Sequence, residues 1–174
     1  MCYFVSDVVT KGLRMLFKRE WDFRFEETLG EWMDKPTNGR DFCSMESPGN
    51  QHRRARLLAT MINGNTEEWN SAMLFYAILY SDSLGRGISA EVRSAVDDLR
   101  ILRNEFAHTA QARVSDSDFF SLCNRVSRAF QSLGLSTLPL SLVIEEFLAG
   151  RSCLSFHRAL NSAVRMERRG NVLF

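Results

Sequence analysis

Residues Ser71-Ala-Met-Leu-Phe-Tyr-Ala-Ile-Leu-Tyr80 decide the fold. They carry no charge and are apolar on nearly every side of a helix, and such a helix belongs in the middle of a bundle. Thr66 is predicted to cap it, with Glu67 and Glu68 near its positive end, and Gly85-Arg-Gly87 to stop it. Downstream, Ser89 caps a helix whose apolar stripe is Val92, Val96, Leu99, Leu102 and Phe106, running to about Ala110. Ser115 opens the next, with Asp116 and Asp118 in its first turn. Its stripe is Phe119, Leu122, Val126, Phe130 and Leu133, and Gly134 ends it.

Upstream, Val8, Val9, Leu13, Leu16 and Phe17 predict an amphipathic helix over Asp7 to Met33. The alternation at Trp21-Asp-Phe-Arg-Phe25 predicts a bend or a second short helix there. Pro36, Gly39, Pro48 and Gly49 mark a surface loop from Asp34 to Asn50. His52 to Ile62 reads as a helix, basic in its first turns and stopped at Asn63-Gly64. Leu138-Pro139 opens a shorter helix to Leu148, stopped by Gly150, and a last helix covers Ser152 to Arg168. No strand pattern or internal repeat stands out. The chain reads as all-α, a single-domain helical bundle of five to seven helices.

The composition agrees. A chain of 174 residues, 45% hydrophobic and 25% charged, has the make-up of one globular domain that needs no disulfide or metal to fold. The longest uncharged apolar stretch, Ala72 to Tyr80, falls short of the ~20 residues of a membrane span. No membrane partner is expected. The net charge of +1 draws the chain towards no polyanion globally, yet only Lys11, Lys18 and Lys35 of its 22 basic residues are lysines. Arginine forks grip phosphate or carboxylate bidentately, although the base composition of the gene or surface salt bridges are the simpler reading of such a bias. Cys2, Cys43, Cys123 and Cys153 make no CxxC pair, and His52, His108 and His157 are scattered, which argues against zinc. The N-terminus lacks a basic region followed by an apolar run, so a signal peptide is not expected. Free thiols in a reducing, cytoplasmic compartment are the expectation.

The stretch richest in chemistry is Leu99-Arg-Ile-Leu-Arg-Asn-Glu-Phe-Ala-His108. Asn104 and His108 are four apart and share a helix face, whereas Arg103 lies about 140° from His108 around the axis. The two meet on one phosphate only if the helix loosens near His108 or a second copy supplies the missing group across a two-fold axis. By spacing alone, a basic pair placed by the helix dipole is the simpler reading.

Arg103-Asn-Glu-Phe-Ala-His108 resembles the signature of the HEPN superfamily (higher eukaryotes and prokaryotes nucleotide-binding domain). The flanks resemble an animal branch of it, the one typified by the DAZ-interacting zinc-finger ubiquitin ligase. There, an apolar helix like Trp69 to Leu79 precedes the motif, and an acidic cap with an aromatic pair, like Val114-Ser-Asp-Ser-Asp-Phe-Phe120, follows it. The likeness covers roughly Leu57 to Leu135 and extends more weakly back to Val8. It implies a HEPN-like bundle over 1–135, with the motif helix at about 89–110; beyond Ser136 the likeness ends, and the helical pattern alone predicts a C-terminal helical extension over 136–174 packed on the same domain. It implies an RNA-binding or protein-interaction module in signalling or innate immunity, or a metal-independent endoribonuclease working as a homodimer through the motif helix. No cofactor is implied. In the ribonuclease His108 acts as acid or base on a ribose 2′-hydroxyl, Arg103 stabilises the phosphoryl charge, and Asn104 orients His108 or the phosphate. Glu105 is a modulator or simply a solvated carboxylate. Asp97 or Asp98 would bury Arg103 if the motif were structural.

Two further basic groups are candidate RNA contacts. Arg151, Arg158 and Arg165 recur every seven residues along one face, with Arg168 and Arg169 beyond them. Arg53, Arg54 and Arg56 cluster beside the Asp34–Asn50 loop. A solvated face explains the first group equally well, because Glu145, Glu146 and Glu167 lie close in sequence. His52 and His157 have no partner pattern.

Overall fold

The computed structural model describes residues 2–109 and 115–149, with backbone alone for 2–4 and 106–109. The architecture is all-α, and among the described residues there is no strand. The helices are α1 (Cys2–Leu29), α2 (Pro36–Ser44), α3 (Pro48–Arg53), α4 (Ala55–Met61), α5 (Ser71–Leu79), α6 (Ala90–Thr109), α7 (Asp116–Ser132) and α8 (138–149). None is long and apolar enough to cross a membrane.

Helix α5 holds the centre. Leu74, Phe75, Tyr76, Ala77, Ile78 and Leu79 are all buried, as an apolar surface on every side demands. It packs against α1 and α6, and α6 packs against α7. The stripe Val96, Leu99 and Leu102 of α6 meets Phe119, Leu122, Val126, Phe130 and Leu133 of α7, all of them buried. Ser89 accepts from the Val92 N–H at 3.2 Å and Ser115 from the Asp118 N–H at 3.2 Å, so both N-terminal caps stand where the sequence puts them. Helix α8 lays Leu140, Val143, Ile144 and Phe147 on the same core, with Phe147 at 4.2 Å from Phe119.

Four expectations are corrected. There is no bend at Trp21, because α1 is one helix of 28 residues. Phe17, Trp21 and Phe25 follow one another at four-residue spacing on the buried side, and the alternation is absorbed by Phe23, which stays 89% exposed. The helix also stops at Leu29 rather than Met33. Gly30 takes φ +80 and bonds back to the Phe25 carbonyl at 3.1 Å, which turns Trp32 inward onto Phe17 and Trp21. The segment from Asp34 to Asn50 is not one loop. Pro36 and Pro48 each open a helix, where proline's fixed φ fits and its missing N–H costs nothing.

Third, the helix expected over His52 to Ile62 is split at Arg54, whose backbone leaves the α-region as its guanidinium settles 5.6 Å over the Tyr76 ring. Fourth, Thr66 does not cap the central helix. Asn65 caps a single 3-10 turn over Thr66–Glu68, and Asn70 caps α5, accepting from the Met73 N–H at 3.1 Å. Thr66 is buried and donates its N–H and hydroxyl to Asp34 Oδ1 at 3.0 and 2.6 Å. The exit of α5 also comes early, at Leu79 rather than near Gly85.

The helix expected over Ser152 to Arg168 and its Gly150 boundary lie outside the described residues.

Two substitutions test this packing. Trp32→Ala opens a cavity among Phe17, Trp21, Phe42 and Trp69, and is expected to cost ~3–5 kcal/mol in urea unfolding. Gly64→Ala places a Cβ 2.0 Å from the Lys35 carbonyl oxygen at φ +74. That change is expected to cost more than ~2 kcal/mol, read as a lowered urea midpoint.

Candidate nucleic-acid interface

Helix α6 carries the motif. Its α-helical backbone is unbroken through Thr109, so it does not loosen near His108. Helical geometry then sets Arg103 and His108 about 140° apart in one chain. The His108 side chain lies outside the described residues. Arg103 follows Leu99 at four residues and Val96 at seven, so it continues the line of the buried stripe, yet it is exposed.

Neither Asp97 nor Asp98 buries Arg103. Asp97 pairs instead with Arg100 at 2.7 Å. Among the described residues Arg103 has no carboxylate partner, and its Nη1 donates to Asn104 Oδ1 at 3.2 Å. Asn104, half-buried, therefore orients the guanidinium. Glu105 binds Arg125 of α7 through two bonds at 2.6 and 3.3 Å, a link between antiparallel helices that the sequence reading missed. Only the register of α6 against α7 reveals it.

Arg53, Arg54 and Arg56 are exposed. Arg53 donates to Asn50 Oδ1 at 3.0 Å, and Arg54 stands over Tyr76. Asn50 in turn donates to Asp82, which precedes α6, at 2.7 Å. This cluster is therefore tied to α5 and to the loop that follows it. His52 is exposed. Arg151, His157, Arg158, Arg165, Arg168 and Arg169 lie outside the described residues.

Two polar networks fix the frame around these residues, and neither was legible as a motif. Glu46 is 3% exposed, and its Oε1 accepts the Asp82 N–H at 2.9 Å while Tyr76 donates its hydroxyl to Oε2. Asp82 reciprocates, its Oδ2 accepting the Ser47 N–H at 2.9 Å. Two carboxylates thus clasp the α2–α3 link to the α5–α6 loop. The Ser47 bonds, together with Asn50 and Arg86, hold the Asp82 carboxyl down at about 2. Burial and the facing Glu46 push the Tyr76 hydroxyl up. Elsewhere Asp34, at φ +53, accepts from Trp32 Nε1 at 3.1 Å and from Thr66, and pairs with Lys18. The Cys43 and Cys123 thiols are unpaired, and burial pushes both up to about 11. Among the described residues no three of His, Cys, Asp and Glu gather as a metal site.

The Asp82 carboxyl lies lower in the folded chain than its ordinary 3.8. Its contribution is therefore complete above about pH 4 and is lost as the pH falls through about 2. Asp82→Asn is expected to lower the urea midpoint at neutral pH and to flatten its fall between those values. Arg125→Ala, by contrast, removes only an exposed ion pair and is expected to cost less than ~1 kcal/mol in the same measurement. No protein-family model, curated protein or solved structure matches the chain.

Proposed function

We propose that this chain is a HEPN-like helical module that binds single-stranded RNA at the C-terminal end of α6, in a reducing, cytoplasmic setting. The observation that carries the reading is Arg103: an exposed guanidinium oriented by Asn104, with no carboxylate partner among the described residues. A planar fork left unneutralised at the open end of a bundle is a ready seat for a phosphate oxygen pair.

Cleavage is the second reading, and the four-residue spacing of Asn104 and His108 on one helix face favours it. Because Arg103 and His108 diverge on one α6, the two would act on a common phosphate only across two copies. His108 would take the 2′-hydroxyl proton as the new O2′–P bond forms and the P–O5′ bond breaks. The leaving oxygen would then be protonated by an imidazolium or by water. An unperturbed imidazole pKa of about 6.5 suits either role.

The test is anisotropy of a labelled oligouridine with the whole chain in EDTA. Arg103→Ala is expected to weaken binding about tenfold and to lower the slope of log affinity against log salt by about 0.7, the share of one phosphate on a single strand. An unchanged slope removes Arg103 from the interface. In the same tubes, product that forms in EDTA and disappears in His108→Ala establishes the ribonuclease. Binding without product leaves the RNA-binding module alone.

A further inference from the structure

Most arginines of the described bundle are already engaged. Arg14, Arg19, Arg24 and Arg93 reach backbone carbonyls, while Arg86, Arg100 and Arg125 meet carboxylates. Of those left without either partner among the described residues, Arg103 and Arg128 stand singly on α6 and α7, and the other four gather in one short segment: Arg40 on α2, Arg53 and Arg54 at the end of α3, and Arg56 on α4. All four are exposed. Glu46 is the segment's buried carboxylate and is already bonded to Tyr76 and Asp82, which leaves half-buried Asp41 as its other acid.

Between α2 and α4 runs a groove lined by Arg40, Cys43, Gln51, Leu58, Ala59 and Ile62. Ile62 is 46% exposed in it. Arg56 stands one turn before Ala59 on the flank of α4. The groove is thus an apolar floor with arginine at its edges.

The complementary surface is on the same chain. Helix α8 uses Leu140, Val143, Ile144 and Phe147 to hold the core. Its opposite face shows Leu138, 64% exposed, and Leu142, 51% exposed. Glu145 and Glu146 are exposed beside them, and neither has an ion-pair partner among the described residues. Residues 138, 142 and 145 fall within one narrow sector of the helix.

We propose that a second copy of this chain docks the outer face of α8 into the α2–α4 groove. Leu138 and Leu142 cover Ile62 and Leu58, and Glu145 and Glu146 meet Arg40 and Arg56. RNA would satisfy the arginines but leave Ile62 in water, and no aromatic ring lines the groove to stack a base. A two-fold arrangement uses groove and helix twice, which brings the pair towards the roughly 1,200–2,000 Å² of a stable interface. The proposal uses neither Arg103 nor His108 and does not rest on RNA binding.

The test is sedimentation of the whole chain from ~1 to ~100 μM. The weight-average mass is expected to rise towards twice the monomer and to fall back in high salt. Glu145→Arg with Glu146→Arg, and separately Arg40→Glu with Arg56→Glu, are each expected to hold the chain monomeric with unchanged helical circular dichroism. Mixing the two variants restores the dimer, because each reversed helix then meets a groove of opposite charge. A wild-type mass independent of concentration overturns the proposal. So does association that survives both reversals, or that is lost instead in Ile101→Glu on α6. A tenfold loss of oligouridine affinity in the Arg40→Glu, Arg56→Glu variant, with its association intact, also overturns it and assigns the groove to RNA.

Discussion

Five aromatic rings from separate stretches of chain meet around Phe17, and the arrangement of the first half of the bundle follows from them. Phe17 and Trp21 come from α1, Trp32 from the link after it, Phe42 from α2 and Trp69 from the turn before α5. Phe17 lies 4.7 Å from Trp32 and 5.0 Å from Trp69, and Trp21 lies 4.8 Å from Trp32. Edge-on and tilted rings at such spacings add about 0.5–1.5 kcal/mol per pair beyond the area they bury. Trp21 donates its indole N–H to the Gly30 carbonyl at 3.2 Å and Trp32 donates to Asp34. Among the described residues Trp69 Nε1 is buried without an acceptor. An orphaned donor costs about 1–3 kcal/mol, so its burial persists only because the surrounding rings contribute more. Once the cluster forms, the link from Gly30 to Lys35 has no freedom to be a loop, and α2 must begin where Pro36 stands.

The arginine excess has a structural use that composition does not disclose. Arg14 donates to the Thr66 carbonyl at 2.7 Å, Arg19 to Leu133 at 2.7 Å and Arg24 to Ser83 at 2.6 Å. These three lie on α1 at five-residue intervals and reach three different chain reversals. Arg93 does the same for the exit of α5, donating to Leu79 at 3.1 Å and also to Gly85. The last carbonyls of a helix have no partner within it, and a forked cation satisfies them while matching the negative end of the dipole. Arginine offers five donors in a fixed fork, so Arg14 and Arg19 hold a carbonyl and also pair with Glu67 and Glu20. The arginines outside this scheme are informative because the others are spoken for.

The sequence makes the second half of the bundle legible and the first half much less so. Helices α6 and α7 have clean stripes and serine caps, so periodicity and capping chemistry agree, and both boundaries fall where Ser89 and Ser115 place them. The stretch from Trp21 to Thr66 misleads because its signals depend on distant partners. Pro36 and Pro48 read as breakers, and only a preceding extended residue turns each into a helix start. The alternation at Trp21 resembles a change of period because Phe23 is an apolar residue that the fold leaves in water. Thr66 has the chemistry of a cap, but Asp34, 32 residues away, claims its hydroxyl. At the candidate site the identity of Arg103 was legible and its surroundings were not. Spacing places Asp97 beside Arg100, three residues on, but does not disclose that Glu105 is taken by Arg125, 20 residues away.

Within the motif, one regular helix settles how many chains a shared phosphate would require. An arginine and a histidine five residues apart point to different sides wherever the backbone stays α-helical, and α6 does so through Thr109. Arg103 continues the line of Val96 and Leu99 but is exposed. Asn104 and His108 share another face, the one that carries Ile101, 40% exposed. Binding through Arg103 therefore asks nothing more of a single copy, whereas catalysis requires a neighbour to bring an imidazole to an arginine it does not itself adjoin. The contact proposed between α8 and the α2–α4 groove pairs glutamates with arginines and uses neither Arg103 nor His108, so a dimer formed that way would be no evidence that the motif is live.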